Sequence, residues 1–239
     1  AIYDIGEVDG RICISMQLVD GPTLSEVLEQ GPIEPRRAVE IVHKLCGALE
    51  AIHKAGIVHR DIKPSNVMLE GDEPLLMDFG LARPMDSSEL TQAGQFVGTP
   101  HYSPPEQFRG QATFASDIYS LGALFFRLLT GELPFSGNPI ELEHHALKTP
   151  PPSASKLVAE IPAELDHLCQ QAMAKDPAAR FQSAGEFADA LQRCFSPDGC
   201  LADPDALAPQ RHKTLIRSIS AVLVTACVAL LIFFRTGAG

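Results

Sequence analysis

Residues 59–66 of the chain read "HRDIKPSN" and place His59, Arg60, Asp61, Lys63 and Asn66 on one short stretch directly after an apolar run. A carboxylate there can accept a proton, a lysine can neutralise phosphate oxygens, and an amide oxygen can ligate a hard cation. Farther on, "MDFG" ends a second apolar run and offers Asp78, another hard oxygen ligand, close to Gly80, which can take unusual backbone angles. Each residue alone also has a plainer explanation: isolated Asp and Asn are common turn formers, and a lone His is more often structural than catalytic. A triplet such as "DFG" recurs by chance. The joint spacing, with each motif after a strand-like run, points instead to a site that handles a phosphate and a metal ion.

Such loops need regular elements to hold them. "AIYDIGEV" and "RICISMQLV", separated by Asp9-Gly10, predict a hairpin. Thr23 with Glu26 three residues on predicts a capped helix start. Pro35 opens a longer helix over 35–55, with Ala38, Ile41, Val42, Leu45, Leu49 and Ile52 on one face and Gly56 at its end. "VML", a Gly71-Asp72 turn and "PLLMDFG" follow as two short strands, and then a polar, irregular stretch from 81 to about 107, long enough to be functional. "SDIYSLGALFFRLLTG" is apolar nearly all round and predicts a buried helix; further helices are expected at 138–148, 162–175 and 183–195.

Composition narrows the function classes. With 239 residues, 45% hydrophobic, the chain can bury a real core, and its net charge of −11 argues against nucleic acid as a partner. Cys13, Cys46, Cys169, Cys194, Cys200 and Cys227 show no C-x-x-C spacing, so reduced thiols in a cytosolic environment are expected rather than a disulfide framework or metal site.

The two motifs together resemble those of the eukaryotic-like (Hanks-type) Ser/Thr protein kinases, the bacterial membrane-bound branch best, over residues 1 to about 195. The resemblance implies an α+β, protein-kinase-like fold: an N-lobe remnant and hinge over 1–20, the helical C-lobe over 21–195, a juxtamembrane linker over 196–214 and a transmembrane helix over 215–235. ATP and Mg2+ would be the cofactors, and protein Ser/Thr hydroxyls the acceptors. Asp61 would accept the hydroxyl proton or orient the hydroxyl, Lys63 would sit near the transferred phosphate, and Asn66 and Asp78 would ligate Mg2+. Met16, the backbone of Gln17 and Val19, and Met68 would line the adenine pocket, although ordinary core methionines fit Met16 and Met68 equally well by residue type.

Supporting roles follow from the same resemblance. His59 would brace the loop, Phe79 and Gly80 complete the second motif, and Thr99 in "GTP" would contact the catalytic loop. Glu106 in "SPPEQ" and Arg180 in "KDPAARF" would pair, and Asp117 would bind the loop backbone, its plainer role being a helix N-cap that Ser116 could fill instead. Thr91 would be a regulatory phosphorylation site served by Arg60 and Arg83.

The 239 residues include no Gly-rich phosphate loop, no "A-x-K" strand and no helix with the Glu that pairs with that Lys. The expectation is an N-terminally truncated fragment that by itself transfers phosphate barely or not at all. A membrane-anchored pseudokinase scaffold is the alternative; a small-molecule kinase on a related fold is opposed by "KPSN" and "GTPHYSPPEQ". Residues 218–234 carry no charge and are bounded by Arg217 and Arg235. With 215–216 added they reach the roughly 30 Å of a hydrocarbon core. Arg211, Lys213 and Arg217 precede the run and only Arg235 follows, which places the kinase region in the cytoplasm of a single-pass membrane protein in contact with the lipid bilayer. Self-association for autophosphorylation completes the expected partners.

Overall fold

A computed structural model describes residues 2–8, 11–16, 18–78, 83–84, 99–196 and 199–201. Strands β1 (Ile2–Val8) and β2 (Arg11–Met16) pair antiparallel, Val8 opposite Arg11 and Ile2 opposite Met16, with a register shift between Ile2 and Asp4. The hairpin read from the two β-prone runs and Asp9-Gly10 therefore forms, as a unit described by itself.

The larger unit begins at Gly21. Helix α1 (Leu24–Leu28) opens on the expected capping box: the Glu26 N–H donates to Thr23 Oγ1 at 3.2 Å and Glu26 Oε2 accepts from the Thr23 N–H at 2.7 Å. Helix α2 (Pro35–Lys54) starts at Pro35, where the Glu34 carboxylate accepts from the N–H groups of Arg36 and Arg37, an end favoured by the helix dipole. All six residues of its apolar stripe are buried, each such side chain larger than alanine contributing about 1.5–3 kcal/mol. The helix stops at Ala55, and Gly56 turns the chain with φ +77°, a left-handed value that costs glycine little.

Two short ribbons follow. Strand β3 (Ile57–Val58) pairs with β6 (Arg83–Pro84), and β4 (Val67–Glu70) pairs antiparallel with β5 (Glu73–Leu76). Helix α3 (Phe114–Thr130) is the core of the unit, its residues from Ser116 to Thr130 buried except for Arg127. Around it lie α4 (Pro139–Lys148), a four-residue α5 (Ala154–Leu157), α6 (Ala163–Ala172) and α7 (Ala184–Arg193), with α2 packed on α7 and α3, and α6 packed on α3. This helix-rich arrangement with small antiparallel ribbons fits the expected architecture.

Two details differ from the sequence reading. The start of α3 is set by Thr113, so neither Asp117 nor Ser116 caps it; the Ser116 hydroxyl instead accepts from the Thr113 N–H at 2.9 Å. Helix α5 was not anticipated. Asp166 of α6 holds it in place, accepting from the Ala154 N–H at 2.7 Å and from the hydroxyls of Ser153 and Ser155.

Among the described residues no helix is long and apolar enough to cross a membrane. Helix α3 comes nearest in composition, but its apolar faces are spent on the core. The apolar run 215–235 and the linker 202–214 lie outside the described residues.

The α3–α6 contact depends on Gly122. A Cβ built there would lie 2.6 Å from the Cβ of Ala172, closer than side chains tolerate. Gly122→Ala is expected to destabilise the fold by about 1–3 kcal/mol through overpacking. A chemical-denaturation midpoint checks this, and an unchanged midpoint would mean the helices slide apart freely.

Candidate active site

The loop after β3 is fixed from below by one buried carboxylate. Asp117, on α3 and 1% exposed, accepts from the His59 N–H at 2.8 Å, the Arg60 N–H at 2.9 Å and His53 Nε2 at 2.8 Å. The grip holds Arg60 at φ +71°, a left-handed angle uncommon outside glycine. Gln107 donates from Nε2 to the Arg60 carbonyl at 2.8 Å, and buried Ile62 pins the next turn. The Pro64–Asn66 turn then closes through the Asn66 N–H on the Lys63 carbonyl at 3.0 Å.

These constraints gather four side chains. Asp61 Oδ1 accepts from the Thr99 hydroxyl at 2.8 Å, while Oδ2 takes Lys63 Nζ at 2.7 Å and Asn66 Nδ2 at 3.0 Å. Lys63 Nζ also donates to Thr99 Oγ1 at 2.9 Å. Burial pushes the Asp61 carboxyl up, but the hydrogen bonds from Lys63 and Thr99, the lysine charge and the Asn66 amide together outweigh it, and the group is held below its ordinary value. It is an ionised carboxylate at neutral pH. An ionised carboxylate offers about four lone-pair positions, of which three are filled here, leaving room for one further donor.

Asn66 is oriented by the same contacts. Its Nδ2 donates to both the Asp61 carbonyl, at 2.8 Å, and the Asp61 carboxylate, so its Oδ1 remains an acceptor, touched only distantly by the Ser65 hydroxyl at 3.5 Å.

His59 links this loop to the second motif. Its Nε2 donates to the Met77 carbonyl at 3.2 Å and its Nδ1 accepts from the Asp61 N–H at 3.4 Å, which fixes the tautomer. Burial pushes the imidazole down despite the neighbouring Asp117, Asp61 and Asp78 carboxylates, so the ring is neutral. The Met77 N–H in turn donates to the Asn66 carbonyl at 2.7 Å. Asp78, next in the chain, is therefore carried beside the loop, solvent-exposed and at φ +60°. One carboxylate and one amide oxygen, both hard ligands, suit Mg2+, which needs few protein ligands and retains water.

A second constellation lies where the segment after Thr99 rejoins the helices. Arg180, 2% exposed, uses every N–H of its guanidinium: Nε to the Ala174 carbonyl, Nη1 to Glu106 Oε1 and the Ala115 carbonyl, Nη2 to Glu106 Oε2 and the Lys175 carbonyl. The Glu106–Arg180 contacts are 2.6 and 2.9 Å, and the Ser116 hydroxyl adds a third donor to Glu106 at 2.7 Å.

Other expected site residues are placed only in part. Met16 ends β2, Val19 is half-buried, and Met68 lies on β4 opposite Leu75 and bridged to Thr23. Arg83 pairs through its backbone with Val58, one residue ahead of His59. Gln17, Phe79, Gly80 and Thr91 lie outside the described residues. Sequence reasoning missed Gln107 and His53, which brace the loop from a distance. Gln107 directly follows Glu106, and an amide at the close of that polar segment was the one available signal.

The model of the protein kinase domain matches residues 1–195. The chain is 41% identical over 192 residues to the serine/threonine-protein kinase PknD of Mycobacterium tuberculosis, covering 78% of this chain and 29% of that protein. It is likewise 41% identical to PknJ of Mycobacterium bovis over 199 residues (80% and 34%) and to PknB of Mycolicibacterium smegmatis over 196 residues (78% and 31%), both serine/threonine-protein kinases. The chain thus spans about a third of the length of these curated relatives. With a family model matched from the hairpin through α7, the chain belongs to the protein kinase domain family.

Proposed function

We propose that this chain is the catalytic part of a Ser/Thr protein kinase, transferring phosphate from ATP to serine or threonine hydroxyls of protein substrates. The observation that carries the reading is the Asp61 carboxylate, held ionised by Lys63, Thr99 and Asn66 with one acceptor position left open. The incoming hydroxyl donates to that position, and Asp61 orients it and takes its proton. Lys63 lies within reach of both Asp61 and the space beyond it, and its charge steadies the phosphate oxygens. Asn66 Oδ1 and the Asp78 carboxylate would hold Mg2+, which supplies charge neutralisation when bound with ATP. Thr99 fixes the Asp61–Lys63 distance, and neutral His59 keeps the two motifs in register.

The test uses the full-length gene product with Mg-ATP and a basic protein substrate. Phosphoserine or phosphothreonine that requires the divalent cation is expected. No incorporation into any substrate or into the protein itself would favour the pseudokinase scaffold.

Two finer parts of the reading rest on residues outside those described. Residues 215–235 anchor the protein as a single membrane-spanning helix, and the basic residues 211, 213 and 217 keep the kinase region cytoplasmic. Removing 215–239 is expected to move the protein from the membrane pellet to the supernatant, and continued sedimentation would dismiss this anchor. Thr91 is the regulatory phosphorylation site: a phosphate there adds nearly two negative charges for Arg60 and Arg83 to bind. Thr91→Ala is expected to lower the rate of the autophosphorylated enzyme, whereas Ser87→Ala and Ser88→Ala leave it unchanged. Phosphosite mapping that finds Thr91 unmodified in a fully active enzyme would refute the assignment.

A further inference from the structure

At the end of α7 the chain doubles back. The Cys194 N–H donates to the Leu191 carbonyl at 3.1 Å, and the Leu201 N–H returns to the Cys194 carbonyl at 2.8 Å. Between them the Gly199 N–H donates to the Ser196 carbonyl at 2.8 Å, and a Cβ at Gly199 would collide with the carbonyl oxygens of Arg193 and Cys194. Arg36 of α2 secures the turn from outside, donating from Nη1 to the Leu201 carbonyl at 2.9 Å. The result is that Cys200 comes back onto Cys194. Both thiols are free, they lie within hydrogen-bonding reach of each other, and they share the wall of a cavity of about 470 Å3 with Glu164 and His167 of α6. Neither cysteine belongs to the site around Asp61.

We propose that Cys194 and Cys200 form a reversible intramolecular disulfide when the protein meets a peroxide. Cys200, the more accessible of the two, attacks the O–O bond as its thiolate; one oxygen stays on sulfur as a sulfenic acid and the other leaves as water. The Cys194 sulfur then displaces the sulfenic oxygen as a second water, closing the S–S bond. Overall two thiols lose two protons and two electrons, and hydrogen peroxide is reduced to two waters. The Cys194 S–H donates to the Ala190 carbonyl at 3.8 Å, which leaves its sulfur lone pairs free to face Cys200. Burial pushes both thiols up, Cys194 to about 12, with Glu164 adding to the effect. Attack is therefore slow, and the finished disulfide, having poor leaving groups, persists until a thiol reductant arrives. Cys46 and Cys169 are buried in the core, far from solvent, and are spared.

One tryptic peptide, residues 194–211, carries both cysteines and no other. The full chain is exposed to hydrogen peroxide, alkylated with iodoacetamide and digested. That peptide is expected unalkylated and about 2 Da lighter than its dithiol form, and restored by dithiothreitol. Full alkylation of both residues after peroxide, or accumulation of a sulfinic acid on Cys200 without the disulfide, would overturn the proposal. Cys194→Ser should leave Cys200 as a sulfenic acid that dimedone captures; absence of the adduct counts against the order of attack. A trivalent arsenical, phenylarsine oxide, reports the pairing without oxidant. It should hold the 194–211 peptide of the unmodified protein as a dithiol adduct and lose it in Cys200→Ser, and no adduct in either would mean the thiols do not meet.

Discussion

Asp61→Asn in the full-length gene product is expected to cut phosphoryl transfer by about 10²–10⁴-fold, the usual range for losing a general base. The substitution keeps the shape of the side chain and its contact with Asn66 but removes the charge that Lys63 and Thr99 hold in place. Stability should fall modestly, because the contacts to the charge outweigh its burial, while the ion pair lost is partly open on the Lys63 side, 24% exposed. The informative comparison is therefore between rate and thermal midpoint. A fall in kcat far larger than the change in midpoint accounts for, with an unaltered nucleotide affinity, identifies Asp61 as acting on the hydroxyl. Full turnover in the variant would remove the carboxylate from the mechanism, and another group would have to take the proton.

Arg180→Ala is expected to produce the largest loss of stability, about 3–5 kcal/mol, as is usual when one partner of a buried pair is removed. Five N–H donors vanish at once, Glu106 is left with its charge under cover, and the carbonyls of Ala115, Ala174 and Lys175 lose their partners. Lysine should not rescue it, since a single ammonium cannot reproduce the planar fork. Removing both partners, as in Arg180→Met with Glu106→Leu, should cost less than Arg180→Ala alone; if the double variant is worse, the interaction between the two is not what holds this corner. The pair also sets a pH dependence. Burial pushes Glu106 up, but the Arg180 hydrogen bonds and charge and the Ser116 hydroxyl bring it below its ordinary value. The contribution is thus present above the ordinary glutamate pKa and is lost as pH falls through the lowered one. Glu106→Gln should flatten that acid limb of the stability curve, and an identical limb in the variant would assign it to other carboxylates.

The parts of the fold that could be read in advance are those written locally. Thr23 with Glu26, Pro35 with its apolar stripe, and the two short runs around Gly71 each encode an element within a few residues, and each forms as read. Helix α5 escaped because its four residues have no period to detect; it exists through Asp166, more than ten residues downstream. The site behaves in the same way. Residue types and spacing within 59–66 and 77–80 marked the two motifs, yet the braces that shape them come from far along the chain: His53 reaches Asp117 across 64 positions and Gln107 reaches Arg60 across 47. Nothing local to either residue announces such a partner. Closure of the α2–α3 packing brings the first pair together.

Arg60 and Asp78 share left-handed backbone angles, one in each motif, and neither is glycine. For an L-residue that geometry costs about 1–2 kcal/mol, a cost glycine escapes. Glycine would relieve that cost, against the side-chain interactions both residues make and the wider unfolded ensemble it brings. Selection for heat resistance alone is blind to the carboxylate at position 78 and to the guanidinium at position 60. A stabilisation campaign on this chain should therefore hold both codons fixed and seek its gains elsewhere.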